Sequence, residues 1–242
     1  MRLTTMLKNL DSLGEQTINR IATAALSSQM KESESFSVNV KVDPQELSQG
    51  IVSAFAMEGK NVVTSKGFRA TDFSLLIENI SVHPFKALMG NVQLRQPVLG
   101  NALLGVSTAD VNDALYRQLQ VSTHNGCVVN DLSCDFTTPN LLSVQMVVGH
   151  KDTNVTQDLM LEFTVGYDVH RKAIAFQNVG RSDSDEKFDV LCESLQDTLL
   201  ELLNLNSLMF SGLEFSVKNL RITDGNLELM AIAKITSFPK AI

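Results

Sequence analysis

Residues 213–235, with the sequence LEFSVKNLRITDGNLELMAIAKI, predict a β-hairpin. Two runs of alternating apolar and polar residues flank Asp224-Gly225, and this dipeptide is a strong signal for a two-residue hairpin loop. Such a loop fixes which residues of the two strands lie opposite each other. The pairs expected on one face are Ile222 with Leu227 and Leu220 with Leu229, and those on the other face are Arg221 with Glu228, Asn219 with Met230, Val217 with Ile232 and Phe215 with Lys234.

The second face of this hairpin changes character along its length. Near the turn it is polar, and the opposite charges of Arg221 and Glu228 support the register. Farther from the turn it carries Val217 and Ile232. Either a bulge near Asn219 exchanges the two faces, or the hairpin has apolar cover on both sides. A flat sheet with one face in water would need neither a bulge nor apolar cover on both sides.

The segment at 72–84, DFSLLIENISVHP, contains the same change of face. Phe73, Leu75 and Ile77 share one parity, and Ile80 and Val82 take the other, so the switch falls at Glu78-Asn79. Two strands that exchange faces indicate a strongly bent sheet. Two later stretches keep one parity, with apolar residues Leu142, Val144, Met146 and Val148 in the first, and Leu159, Leu161, Phe163, Val165, Tyr167 and Val169 in the second.

Three stretches have helical features. Residues 3–26 carry an apolar stripe at intervals of mostly three and four, which predicts an amphipathic helix, or a helix pair broken at Gly14. Ser107 and Asp110 predict the start of a second helix. The acidic run SDSDEK predicts the start of a third helix, of about twenty residues and ~30 Å, that ends near Leu202.

Composition and charge limit the partners and the compartment. A hydrophobic content of 44% with 19% charged residues is typical of a globular protein, and a net charge of −7 without a basic run argues against nucleic acid. Cys127, Cys134 and Cys192 form no CxxC pair, which favours a reducing compartment. The pattern of a signal peptide or a membrane span is missing. We expect a cytoplasmic protein, at most peripheral to a membrane that its N-terminal helix would contact.

Sequence motifs for catalysis are also missing. The four histidines, His83, His124, His150 and His170, lie far apart and lack the spacing of a metal site. The sequence has no nucleophile elbow, phosphate-binding loop or dinucleotide fingerprint. We therefore expect no enzyme activity and no metal or other cofactor.

Four stretches occur in an informative order along the chain. They are VDPQELSQG at 42–50, PFKALMGNVQLRQP at 84–97, STADVNDAL at 107–115 with its Asp110-Val111-Asn112 centre, and the closing run 202–239 that ends in Phe238-Pro239. Together they resemble the LmeA-type phospholipid-binding family of bacteria. The resemblance covers roughly residues 36–239, although residues 119–180 match only in pattern.

The resemblance implies a protein that binds a phospholipid or a similar acyl-chain lipid, and that could transfer it, without changing it chemically. It also implies an α+β, tubular lipid-binding-like fold, in which a long, strongly curved antiparallel sheet wraps around long amphipathic helices and an apolar channel. It carries over no catalytic residues. On this interpretation residues 1–30 form the N-terminal amphipathic helix, and residues 31–242 form the lipid-binding α+β domain.

The candidate lining residues are selected by periodicity and not by the resemblance. Each lies on a strand whose inward face can be assigned from its alternation or its change of face. The selected residues are Phe73, Leu75, Ile77, Leu161, Phe163, Val165, Phe215, Val217 and Ile232.

Strands with two apolar faces also occur in an ordinary sandwich core, where helices cover one face and a second sheet covers the other. Apolar content alone does not distinguish a filled core from a hollow one. The alternative is therefore a structural or protein-interaction module with a filled core and no lipid, in which the N-terminal helix would bind a partner. An enzyme ranks third, because no nucleophile or base constellation is present.

Overall fold

The structure is a computed structural model of the 242-residue chain. The residues that it describes are 19, 23, 26, 27, 30–63, 69–84, 86, 93–121, 126–137, 140–150, 156–171, 173–182, 188–204 and 212–237. The strands among them are β1 (Ser35–Lys41), β2 (Ile51–Val63), β3 (Arg69–Ser81), β4 (Val98–Ser107), β5 (Cys127–Thr137), β6 (Leu141–His150), β7 (Thr156–Asp168), β8 (Ala173–Arg181), β9 (Leu213–Thr223) and β10 (Asn226–Ile235). The helices are α1 (Pro44–Ser48), α2 (Thr108–Val121) and α3 (Asp189–Leu202).

The strands form two antiparallel sheets. The first has six strands in the order β1-β2-β3-β4-β10-β9, and the second has four in the order β5-β6-β7-β8. This confirms an α+β protein with mainly antiparallel sheet, although the strands form two sheets instead of one. Helices α2 and α3 have 14 residues each, or ~21 Å, so long helices are not seen in the described residues. The predicted start of the third helix, at 183–187, lies outside the described residues.

The hairpin of β9 and β10 has the predicted turn. Asp224 and Gly225 have φ angles of 50° and 73°, and a tight two-residue loop of this kind needs positive φ at both positions. The pairs predicted near the turn are confirmed, and they are Ile222 with Leu227, Arg221 with Glu228, Leu220 with Leu229, and Asn219 with Met230.

Farther from the turn the same hairpin contains a bulge. Lys218 has no partner in β10, so the ladder shifts by one residue immediately before Asn219. The extra residue moves the start of β9 onto the other face, and the bulge is therefore the right one of the two alternatives. The observed pairs are Val217 with Ala231 and Phe215 with Ala233, and the predicted pairs Val217 with Ile232 and Phe215 with Lys234 are wrong.

Strands β2 and β3 form a two-stranded ribbon in which the buried face changes twice along its length. Asn79 has a φ of 54°, and the buried positions of β3 change parity across it, as predicted. Asn61 in β2 has a φ of 48°, and near it the buried residues of β3 are Ala70 and Phe73, three positions apart. Asparagine tolerates this left-handed conformation better than most residues. The second exchange of faces was not predicted from the sequence.

One contiguous apolar core includes residues of both sheets and of α2 and α3. Helix α3 buries the predicted stripe of Leu191, Leu195, Leu199 and Leu202. Helix α2 begins as predicted, because the Ser107 hydroxyl oxygen accepts a hydrogen bond of 3.1 Å from the backbone N–H of Asp110.

The predicted helix at 3–26 lies mostly outside the described residues, which in this part are Asn19, Thr23, Leu26 and Ser27, all helical. Two of them contact the edge strand β1. Thr23 Oγ1 accepts a hydrogen bond of 3.1 Å from the Val38 N–H, and Asn19 Oδ1 accepts one of 2.7 Å from the Val40 N–H. These hydrogen bonds give partners to two backbone N–H groups that an edge strand would otherwise leave without one.

Candidate functional site

Eight of the nine predicted lining residues lie in the shared apolar core, where each exposes at most 5% of its surface. Three strands supply them, with Phe73, Leu75 and Ile77 from β3, Leu161, Phe163 and Val165 from β7, and Phe215 and Val217 from β9. β9 lies at the edge of the first sheet and contacts β5, β7 and β8 of the second. Residues of both sheets therefore face one apolar interior.

The ninth residue, Ile232, does not face this interior. β10 buries only odd-numbered positions, from Leu227 to Ile235, whereas Ile232 is partly exposed on the opposite face. The expectation that Ile232 shares a face with Val217 was wrong. The reason is the bulge at Lys218, which turns Val217 inward and leaves Ile232 facing outward.

The middle strands of the first sheet present small residues to the interior. Ala102 of β4 lies opposite Ala231 of β10, and Gly100 lies opposite Ala233. All four are buried, and they form the small-residue floor. Larger residues flank it, with Leu75 and Ile77 of β3 on one side and Phe215 and Val217 of β9 on the other. Sequence reasoning missed this feature, for which the signal was small residues at alternate positions in both strands.

The second sheet presents larger side chains to the interior. Phe163 and Phe176 meet edge to face, with ring centroids 6.4 Å apart and an interplanar angle of 88°. Val165 lies opposite Phe176, and Leu161 lies opposite Val144 of β6. Leu161, Phe163 and Val165 are fully buried. The inward face of β7 was therefore assigned correctly from its alternation.

Helices α2 and α3 lie at the two edges of the second sheet. The Tyr116 hydroxyl of α2 donates to the Asn130 carbonyl of β5 at 2.9 Å, and Gln196 Nε2 of α3 donates to the Phe176 carbonyl of β8 at 3.0 Å. Since β5 and β8 are edge strands, these bonds satisfy carbonyl groups that the ladder leaves open. The two helices also pack against each other.

Asn112 of α2 carries the one buried side-chain oxygen or nitrogen without a hydrogen-bond partner among the described residues. Tyr116, one helical turn later, donates its hydroxyl to the Asn130 carbonyl of β5, whereas Thr108, one turn earlier, donates its hydroxyl to the Gly225 carbonyl in the β9–β10 turn. Residues four apart share a helix face, so Asn112 lies between these two contacts. An unpaired buried acceptor costs ~1–3 kcal/mol. A ligand that brought a donor to Asn112 Oδ1 would recover this free energy.

The buried cysteines are poor nucleophiles. Burial, with a smaller contribution from the charge of Asp135, raises the pKa of Cys134 to about 12. Burial also raises the pKa of Cys192, and a hydrogen bond from Arg181 only partly offsets this. Both thiols therefore stay protonated at neutral pH, whereas the thiolate is the reactive form.

Metal-binding clusters and membrane-spanning helices are absent from the described part of the chain. No group of three histidine, cysteine or acidic residues there could hold a metal ion. His83 and His170 are exposed. No helix among the described residues is long and apolar enough to cross a membrane.

Two antiparallel sheets and two helices that share an apolar interior define the class of protein, an α+β protein built around that interior. A sequence profile of the LmeA-like phospholipid-binding family matches residues 10–232, nearly the whole chain. The protein belongs to this family, so the resemblance is confirmed, and the match begins farther upstream than residue 36. Comparisons with curated proteins and with solved structures found no match.

Proposed function

We propose that this protein binds a phospholipid or a similar acyl-chain lipid in the apolar interior between its two sheets, and does not change it chemically. The observation that carries the proposal is the small-residue floor, Gly100, Ala102, Ala231 and Ala233, between two rows of larger apolar residues. An acyl chain could lie over the small side chains of Ala102, Ala231 and Ala233, whereas the Ile77 side chain covers Gly100, where an added Cβ would meet Ile77 Cγ1 at 2.7 Å. Family membership supplies the class of ligand.

The driving force for binding would be desolvation of the acyl chains. Burial of each methylene contributes about 0.8 kcal/mol, so a dozen would contribute ~10 kcal/mol. That is enough to offset much or all of the translational and conformational entropy lost on binding, which costs ~4–15 kcal/mol. The apolar interior would thus hold a lipid without any charged contact.

The polar end of the lipid would bind at Asn112. Its Oδ1 atom is buried without a partner and can accept a hydrogen bond from a hydroxyl or ammonium group of the lipid. This assignment places the lipid head near α2 and β5 and its acyl chains over the small-residue floor.

Native mass spectrometry of the purified protein, followed by solvent extraction, tests the proposal. We expect a bound lipid after incubation with mixed liposomes, and a lower occupancy in Asn112→Ala with no loss of melting temperature, because the removed acceptor has no protein partner. Asn39→Ala, at an exposed position of β1, is the matched control and should bind as the wild type does. A protein that stays lipid-free after this incubation would contradict the proposal.

The second candidate function is a structural or protein-interaction module with a filled core. The observation in its favour is the near-complete burial of Leu161, Phe163 and Val165, each with 0% exposure. Side chains in a filled core lose water contact in the same way. A bulky substitution in the interior separates the two functions.

The site of action is also a proposal. Three buried cysteines outside any disulfide, Cys127, Cys134 and Cys192, suit a reducing compartment such as the cytoplasm. Lipid transfer would further require contact with a membrane. We propose that the N-terminal helix makes that contact reversibly, and flotation with liposomes tests it.

A further inference from the structure

Five apolar side chains form a patch on the outer face of the six-stranded sheet, away from the proposed lipid site. They are Leu76 of β3, Leu99 and Leu103 of β4, and Met230 and Ile232 of β10. Leu103 lies directly opposite Met230, and Asn101 lies between Leu76 and Ile232 in one row. Leu103 and Met230 therefore touch across the sheet face, whereas polar residues lie within the group, with Asn101 opposite Ile232 and Lys234 opposite Leu99. These five residues form the outer patch.

The outer patch is exposed in the described structure. Leu99 exposes 64% of its surface, Leu76 44% and Met230 41%. Scattered apolar residues are normal on a surface, but a contiguous group marks an interaction site. The outward residues of β2 beside the outer patch are Ala54 and Ala56. Their small side chains do not obstruct the surface between β1 and the outer patch.

The described N-terminal residues show where the preceding chain meets this sheet. Asn19 and Thr23 bind alternate N–H groups of β1, at Val40 and Val38. Four helical residues rise ~6 Å and two strand residues ~7 Å, so the two elements run side by side in opposite directions. Asn19, the first described residue, therefore lies at the Lys41 end of β1. Residues paired across neighbouring strands form rows that run across this sheet. Leu76 and Leu99 lie in the two rows next to the row that contains Val40.

Residues 1–18 lie outside the described residues, and their sequence carries an apolar stripe that needs a partner, namely Leu3, Met6, Leu7, Leu10 and Leu13. We propose that residues 3–13 pack on the outer patch. As a helix they would span ~16 Å. The four strand spacings from β1 to β10 amount to ~19 Å, and residues 14–18, which include Gly14, are left to turn onto the outer face.

The observations favour this segment over a membrane or a second copy. Charges at the rim of the outer patch pair with one another, as Lys234 does with Glu214 at 3.2 Å and Arg221 with Glu228 at 3.1 Å. Each of these two cations has an acidic partner, and a net charge of −7 does not favour an anionic lipid surface. A tethered segment also acts at an effective concentration in the millimolar range, which a second copy seldom reaches.

Methionine oxidation by dilute peroxide tests the proposal on the full-length protein. Met160 of β7 exposes 37% of its surface and is a matched internal control for Met230 at 41%. The two fall on separate tryptic peptides, 152–171 and 222–234. We expect Met230 to oxidise at least about threefold more slowly than Met160, because oxidation follows exposure. In Leu7→Glu/Leu10→Glu the two rates should become equal, with the melting temperature recording whether the sheet stays folded.

Three outcomes would overturn the proposal. Equal rates in the unmodified protein would mean that residues 3–13 do not cover the outer patch. Protection of Met230 that grows with protein concentration would assign the outer patch to a second copy. Protection that appears only with vesicles of phosphatidylcholine and phosphatidylglycerol would assign it to a lipid surface.

Discussion

At the scale of single residues, two asparagines with positive φ bend the ribbon of β2 and β3, and only one of them was predictable. Asn79 was predictable because large apolar residues stand on both sides of it and change parity there. Asn61 was not, because the buried residue before it is Gly59, which has no side chain to show the inward face. The alternation of apolar residues therefore does not reveal a change of face where the residue at the buried position is as small as glycine.

Substitution of Asn79 tests the cost of its backbone conformation. Valine at this position should lower the free energy of unfolding by ~1–3 kcal/mol, because a β-branched residue is strained at a φ of 54°. Asn79→Gly should change stability much less, since glycine adopts this φ without strain. Urea unfolding measures both, and Glu78→Val, at the exposed neighbouring position, is the matched control. Equal losses in Asn79→Val and Glu78→Val would contradict the assignment.

At the scale of elements, the sequence specified the turn of the β9 and β10 hairpin but left its distant half ambiguous. In β10 the larger residues Met230 and Ile232 alternate with Ala231 and Ala233. Hydrophobicity alone therefore predicts that Met230 and Ile232 are buried, and this is wrong. The structure buries the alanines because β10 keeps one buried parity from Leu227 to Ile235, and the bulge in β9 turns Phe215 and Val217 onto the same face. The small-residue floor and the outer patch both follow from this parity of β10.

Deletion of Lys218 tests the bulge. Without the extra residue, Phe215 and Val217 would have to face outward or the hairpin would have to slip. Exposure of two such side chains should lower the free energy of unfolding by ~3–6 kcal/mol. Lys218→Ala keeps the residue count and should change stability by less than ~0.5 kcal/mol, because the side chain is exposed. Similar stability of the deletion and Lys218→Ala, in urea unfolding, would show that the bulge does not set the register.

At the scale of the whole molecule, the sequence predicted the fold class and most of the interior but not the division into two sheets. Alternation along β3, β7 and α3 identified the buried faces, because it depends on local periods alone. The placement of β4 beside β10 joins residues more than a hundred positions apart, and no local pattern encodes such a pairing. The partner of each strand could therefore not be predicted.

Replacement of Val165 by tryptophan distinguishes a lipid site from a filled core. Val165 is fully buried on β7 opposite Phe176. In a close-packed core the added bulk should cost ~1–3 kcal/mol or more, because the neighbours have no space to yield. In a lipid site the indole can occupy ligand space, so the melting temperature should change little while uptake of a fluorescent lipid falls. Val169→Trp, at a position with 70% exposure just beyond the same strand, is the matched control and should change neither quantity.

Melting temperature and lipid uptake of Val165→Trp should be measured on one preparation, because the two candidate functions differ only in how these quantities combine. A marked fall in melting temperature with no lipid uptake by the wild type would support the filled core. An unchanged melting temperature with reduced uptake would support the lipid site. If neither quantity changed, Val165 would lie outside both the core and the lipid site, which is incompatible with its 0% exposure, and the position of β7 in the fold would have to be revised.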